Sequence, residues 1–337
     1  MKKELGISVL LVMLCTVVAV LNPRFLSAVN LFNLANLVGM FGIFGIGMGL
    51  VIITGGIDLS VGSMFALSGV LLAMMLREWH WAWPLALLAT LALPMLLGVV
   101  HGFLITRLRI QAFIVTLCGL LIYRGLARFI ADDSTKGFGA NAEGFERLRD
   151  LAKGELFHLP SPFVILLVIA VVMWLVLHRS VYGRYLFAVG RNEEAARYSG
   201  IRTRLVIGSS YVLAGLLTGL SAILFAFYTN SISPSTHGNF YELYGIAAAV
   251  LGGCSLRGGE GSILGIVIGT ALLQVLQNLV NLLMIPSSLN FAVMGGVVLI
   301  GVLADELLRA RRQTPKGVVA PADHQGNGPT VVPPGPK

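Results

Sequence analysis

Charge is what this chain has least of. Only 12% of its 337 residues are Asp, Glu, Lys or Arg, about half the share usual in soluble domains. That shortage excludes an ordinary soluble fold. With 56% of residues hydrophobic, a water-facing molecule of this size would expose large apolar patches that lipid can cover instead. Cysteine is equally scarce: Cys15, Cys118 and Cys254 lie in or beside apolar runs, which fits buried thiols and leaves no disulfide framework or metal site. Catalytic signatures are missing too. No Gly-x-x-x-x-Gly-Lys-Ser/Thr occurs, and no lysine follows the glycines between 258 and 261, so the chain has no P-loop with which to hydrolyse ATP. There is no His-x-x-x-His, no Gly-x-Ser-x-Gly and no spaced metal cluster. His101 and the other histidines read as incidental. The expectation is a protein that is not an enzyme and holds no metal or cofactor.

What is present is length of apolar run. A membrane-spanning helix needs about 20 apolar residues, and clear candidates are Leu5–Leu21, Leu31–Thr54, Ser60–Leu76, Ala82–Ile105, Ile110–Ala131, Pro162–Leu177, Leu205–Tyr228, Ser262–Met284 and Leu289–Ala304. The piece Leu243–Cys254 is short for a crossing. No small-x-small cleavage site precedes Asn22-Pro23-Arg24, so the first run reads as an uncleaved span rather than a signal peptide. The net charge of +8 is spread over short segments between apolar runs, the pattern of cytoplasmic loops, and not gathered on one face as a nucleic-acid partner requires.

The fold class expected is all-α, a polytopic membrane helical bundle of about ten spans with glycine-rich breaks. Placing Lys2 and Lys3 in the cytoplasm puts Arg107 and Arg109 inside, together with Arg179, Arg184, Arg191, Arg197, Arg202 and Arg204. If Leu243–Cys254 crosses, Arg257, Arg309, Arg311 and Arg312 also fall inside. Ten crossings with both termini cytoplasmic is therefore the preferred topology, with Arg124 and Arg128 as two exceptions. Residues 1–312 form the transmembrane domain. The Pro- and Gly-rich stretch 313–337 has no apolar period and reads as a disordered polar cytoplasmic tail.

Two glycine-led breaks stand out, Gly55-Gly56-Ile57-Asp58-Leu59-Ser60-Val61-Gly62 and Gly252-Gly253-Cys254-Ser255-Leu256-Arg257-Gly258-Gly259. Both fit Gly-Gly-x-x-Leu-x-x-Gly, a spacing that an internal repeat would leave. Gly55, Gly56, Asp58, Ser60, Gly252, Gly253 and Ser255 are the residues expected at the helix breaks and along a translocation pathway. A carboxylate here is costly unless paired, capping or wetted. Three roles stay open for Asp58: capping the next helix, lining the pathway, or coupling protons. The other glycines of the spans, from Gly42 to Gly49 and at Gly265 and Gly269, read as close helix packing.

The segment Gly183 to Ile201 carries a short helix with its ends marked. Asn192 is an N-cap residue, Glu193 and Glu194 suit the positive end, and Gly200 is a C′ residue with Ile201 behind it. A helix of about two turns needs a surface to dock on. The alternative is a solvated helix in a long loop.

The blocks Gly55–Ser63, Thr116-Leu117 with Arg124-Gly125, Gly183-Arg184 through Gly200-Ile201, Tyr241-Glu242-Leu243, Ile246-Ala247-Ala248, Leu251-Gly252-Gly253 and Gly258-Gly259 resemble the ribose-type permease family. Its members are membrane subunits of bacterial ABC sugar importers. Glu194-Ala195-Ala196-x-x-x-Gly200 resembles the Glu-Ala-Ala loop whose short helix docks on the ATP-binding subunit. That resemblance implies a coupling role for Gly190, Asn192, Glu194, Ala195, Ala196 and Gly200. Arg191 departs from the family's usual Gly-Gly-Asn. The implied function is a permease subunit translocating a monosaccharide of the ribose, xylose, rhamnose or galactose kind across the bacterial inner membrane. Implied partners are an ATP-binding subunit that holds the ATP, a periplasmic sugar-binding protein, a second permease copy or paralogue, and membrane lipids. Two alternatives remain: an ion-coupled secondary transporter using Asp58, or an ABC permease of the related branched-chain amino acid or nucleoside type.

Overall fold

The computed structural model describes residues 2–139 and 145–286, with scattered positions as far as 299. In chain order the helices are α1 (Lys2–Leu21), α2 (Ala28–Ile53), α3 (Val61–Arg77), α4 (Trp83–Thr106), α5 (Ala112–Ile130) and α6 (Phe145–Lys153). There follow α7 (Ser161–Arg179), α8 (Val181–Arg191), α9 (Glu193–Tyr198), α10 (Thr203–Thr229), α11 (Tyr241–Leu251) and α12 (Ile263–Leu282). Seven of them, α1, α2, α4, α5, α7, α10 and α12, are long and apolar enough to cross a membrane. The shorter α3 and α11 are apolar too. The chain is thus an all-helical polytopic bundle, as its composition requires. The expected last span, Leu289–Ala304, and the tail from 313 fall outside the residues described continuously.

The bundle is built around α2. In its apolar window 94% of residues are buried inside the protein, against 6% for α1, so α2 is the axis and α1 a peripheral helix facing outward. Glycine makes this possible because neighbours approach α2 on every side. Gly39 lies against the Pro162–Phe163 backbone at the start of α7, Gly47 against Ala214 of α10, and Gly49 against Ile266 of α12. Ser221 of α10 donates to the Met40 carbonyl across the α2 seam at 3.0 Å. Around the middle of α2, Phe41, Phe44, Phe65 and Phe225 surround Tyr241, an edge-and-face cluster that closes the core.

Two of the non-helical stretches flank the short apolar helices α3 and α11, and the second packs on the first turn of α3. Residues 54–60 run without helix before α3. Residues 233–240 run irregularly before α11, which with 11 residues rises only about 16 Å, half of a bilayer core of about 30 Å. At the meeting point, a Cβ on Gly62 would land on the Gly238 carbonyl and the Glu242 carboxylate. Arg124 of α5 ties the stretch before α11 to the first turn of α3. Its Nη1 donates to the carbonyls of Pro234 (3.0 Å) and His237 (2.7 Å), and its Nη2 to that of Gly62 (3.4 Å). The guanidinium thereby satisfies the Pro234 and His237 carbonyls, which irregular chain leaves open. Arg128 donates to Asp133 at 2.6 Å, and this contact holds the Asp133 carboxyl below the ordinary range. Beyond α5, β1 (Lys136–Gly137) pairs antiparallel with β4 (Ser231–Ile232). A small hairpin of β2 (Glu155–Leu156) and β3 (Leu159–Pro160) leads into α7.

Candidate functional site

The expected short helix is present at α9, and its ends are closed by the residues that mark it. Asn192 Oδ1 accepts from the Ala195 N–H at 2.9 Å. At the other end the Gly200 N–H donates to Arg197 O (3.0 Å) and the Ile201 N–H to Ala196 O (3.1 Å), with Gly200 at φ +84°. That is a Schellman closure. Ala196 is buried against the rest of the chain, whereas Glu194, Ala195 and Tyr198 are exposed. Glu193 accepts from Thr203 at the start of α10, so α9 is fixed to the bundle by one face and offers the other. An open cleft of about 400 Å³ beside it is lined by charges of both signs, among them Arg109, Glu193, Glu194, Arg197 and Arg204.

Directly before α9 stands a helix that the sequence reading took for loop. In α8, Ser180 accepts from the Gly183 N–H (3.1 Å), and Gly183, Leu186 and Val189 form the buried face. Tyr182 is hydrogen-bonded to Ser209 of α10 at 2.8 Å. The C-terminal end of α8 brings Gly190 against the bundle axis: a Cβ there would land on the Ile53 carbonyl oxygen and on the Gly259 amide. Gly258 in turn lies against Gly190 O and the Gly55 amide, and the Gly259 N–H donates to Ile53 O at 2.8 Å. The end of α8 and both glycine breaks therefore converge on one node where backbone meets backbone.

The two breaks share one local structure, shifted by a residue from the sequence match. After α2, Gly55 N donates to Ile52 O and Gly56 N to Val51 O, with Gly55 at φ +82°. After α11, Gly253 N donates to Val250 O and Cys254 N to Ala249 O, with Gly253 at φ +91°. Gly55 thus corresponds to Gly253 and not to Gly252. The left-handed position of the closure sets the equivalence, which letter matching cannot see. Gly252 instead lets the α12 backbone at Gly265 come close. Ser255 closes the following loop, accepting from the Arg257 N–H and, through its carbonyl, from the Gly258 N–H.

Asp58 is 2% exposed. Its Oδ1 accepts from the Ser60 N–H (2.9 Å) and the Ser60 hydroxyl (2.6 Å). Ser60 is the N-cap of α3 but makes no side-chain cap bond; Asp58 steadies the cap residue rather than the helix's own first N–H groups. Its Oδ2 faces Nδ1 of His101 at 3.8 Å, and Nε2 of His101 is 2.9 Å from the Tyr123 hydroxyl. Sequence reasoning gave His101 no role. The available signal was a histidine inside an apolar span, where a polar side chain has to find a partner.

A family model described as branched-chain amino acid transport system / permease component matches residues 30–303. The ribose import permease protein RbsC of Escherichia coli K12 is 39% identical over 297 residues, 88% of this chain and 91% of the relative. RbsC of Bacillus subtilis is 39% identical over 304 residues, 90% and 92% of the two chains. The L-arabinose transport system permease protein AraH of Escherichia coli K12 is 34% identical over 314 residues, 92% and 93%. No solved structure matches significantly.

Proposed function

We propose that this chain, which belongs to the family of permease components of branched-chain amino acid transport systems, is the membrane-spanning subunit of an ATP-driven monosaccharide importer. The observation that carries the mechanism is the node at Gly190. A coupling helix is useful only if its movement reaches the pathway, and here the segment that holds α9 touches the backbone of both helix breaks. The sugar class follows from relatives named as ribose and L-arabinose permeases at 34–39% identity over nearly the whole chain.

In this reading both termini and α9 face the cytoplasm of a bacterial inner membrane. An ATP-binding subunit docks on the exposed face of α9, a binding protein delivers sugar on the opposite side, and a second permease copy or paralogue completes the pore. The chain itself binds no ATP and catalyses no covalent step. ATP-driven closure of the partner subunits moves α9 and α8, and Gly190 passes the displacement to Ile53, Gly55 and Gly258. Gly55, Gly56 and Gly253 supply hinges, Gly252 keeps α12 close, and Asp58, Ser60 and Ser255 hold the irregular backbone at the breaks.

The test is made on the exposed face. Ala195→Trp places bulk where a partner groove would close, and overpacking of this kind costs about 1–3 kcal/mol, roughly tenfold to a hundredfold in affinity. The expected result is a folded, inserted permease that copurifies poorly with its ATP-binding subunit and takes up little sugar. Full copurification and uptake would refute the assignment.

A further inference from the structure

The break after α2 is touched from one side by Gly190. From the other it meets polar side chains that the coupling scheme does not use. Asp58 and His101 are 2% and 1% exposed, and burying two such groups in a membrane bundle is expensive unless they answer each other. Asp58 Oδ1 is fully engaged by Ser60. Oδ2 looks at His101 Nδ1 across 3.8 Å, too far for a hydrogen bond, and Nδ1 is a buried atom with no partner. With the carboxylate in front of Nδ1, the tautomer that places the proton there is favoured, and Nε2 then accepts from Tyr123.

Three elements are thereby strung together: the break, α4 through His101, and α5 through Tyr123. Room for the string is made by Gly119 of α5, where a Cβ would stand 3.0 Å from His101 Nε2 and 3.2 Å from the Ser60 Cβ. Outside its buried strip of Val115, Thr116, Gly119, Tyr123 and Ala127, α5 exposes Leu117, Leu121, Ile122 and Leu126; besides Tyr123 its polar ties are Thr116, which donates to Ile57 O at 3.4 Å, and Arg124. From 3.8 Å, an approach of less than about 1 Å would make an N–H to carboxylate hydrogen bond.

We propose that Asp58, His101 and Tyr123 form a latch that carries displacement of the break to α5. Its closed state is the Nδ1–H to Asp58 hydrogen bond. Closure follows movement of residues 55–60 toward α4, and Tyr123 makes α5 follow. His101 and Tyr123 are positioning residues that touch no substrate. The inference rests on the importer reading for the source of the movement and on geometry alone for the latch.

The test uses Tyr123→Phe, His101→Leu and the double variant in the complete transporter, with sugar moved per ATP hydrolysed as the readout. Losing one buried hydrogen bond of ordinary net strength shifts a two-state equilibrium about tenfold. Each single variant should stay inserted and folded and hydrolyse ATP while moving about tenfold less sugar per ATP. The double variant should be no worse than the singles, and His101→Gln, which retains a donor and an acceptor, should recover part of the loss. An unchanged ratio, or losses that multiply in the double variant, would overturn the latch. A second readout does not depend on transport. Cys118 is an exposed thiol on α5, and its maleimide labelling in the purified chain, followed by mass spectrometry, should speed up severalfold in Tyr123→Phe. Equal labelling rates would overturn the latch even if the importer reading failed, and wild-type transport without ATP dependence would overturn only the importer reading.

Discussion

A methyl group added at position 190 has nowhere to go, because it would fall on the Ile53 carbonyl oxygen and the Gly259 amide, both backbone. Side chains can turn aside, but these atoms belong to the axis helix and to a break. Gly190→Ala is therefore expected to lower the thermal midpoint or block insertion, with an overpacking cost of about 1–3 kcal/mol. Gly125→Ala is the matched control, since nothing lies within 4 Å of its Cβ, and it should be neutral by the same thermal assay. Identical letters in the sequence thus hide opposite roles. Gly200 was legible because a C′ residue is defined by neighbours a few positions away. Gly190 was flagged only through resemblance, because the contacts that make it matter come from residues 53 and 259. Asp58 was legible as a residue needing a partner. The partner, His101, was not, because 43 residues and a whole helix separate the two in sequence.

Among the elements, α9 is the one most dependent on its ends, having only six residues. A helix this short is not stable by propensity, so the Asn192 cap weighs heavily. Asn192→Ala should cost about 0.5–2 kcal/mol and lower both uptake and recovery of the ATP-binding subunit, whereas Asn192→Ser should restore both. Copurification of the partner from membranes carrying each variant measures this directly, and equal recovery from Asn192→Ala would show that docking does not need the cap. Spans were readable to within a few residues from apolar length: Leu31–Thr54 corresponds to α2 at Ala28–Ile53, and Ile110–Ala131 to α5 at Ala112–Ile130. Helix α8 was not read, because Gly183 and Gly190 suggest loop. They are there to let α8 lie close against the carbonyls of Leu177 and Ile53. The equivalence of the two breaks was legible in outline and misplaced by one residue, since φ, not residue identity, defines it.

Across the whole molecule, composition was enough to place the chain in a membrane, because charge scarcity and apolar run length are global properties. Packing order was not visible. That α2 is the axis and α1 the rim follows from which faces the glycines open to neighbours, and a list of similar apolar runs does not contain that information. The arginine pattern suggests an orientation with Arg124 and Arg128 as exceptions, and the two meet backbone carbonyls and a carboxylate respectively. Arg124 ties the stretch before α11 to the first turn of α3, and Gly190 lies against the end of α2 at Ile53 and the Gly258–Gly259 turn that follows α11. The rival, an ion-driven transporter, would place the energy input at Asp58 itself rather than at α9. Purified permease, its ATP-binding subunit and its sugar-binding protein in sealed proteoliposomes decide between the two accounts. Uptake of a radiolabelled monosaccharide that requires ATP and the binding protein, and persists when ion gradients are collapsed, is the predicted result; accumulation driven by a proton or sodium gradient without ATP would contradict it.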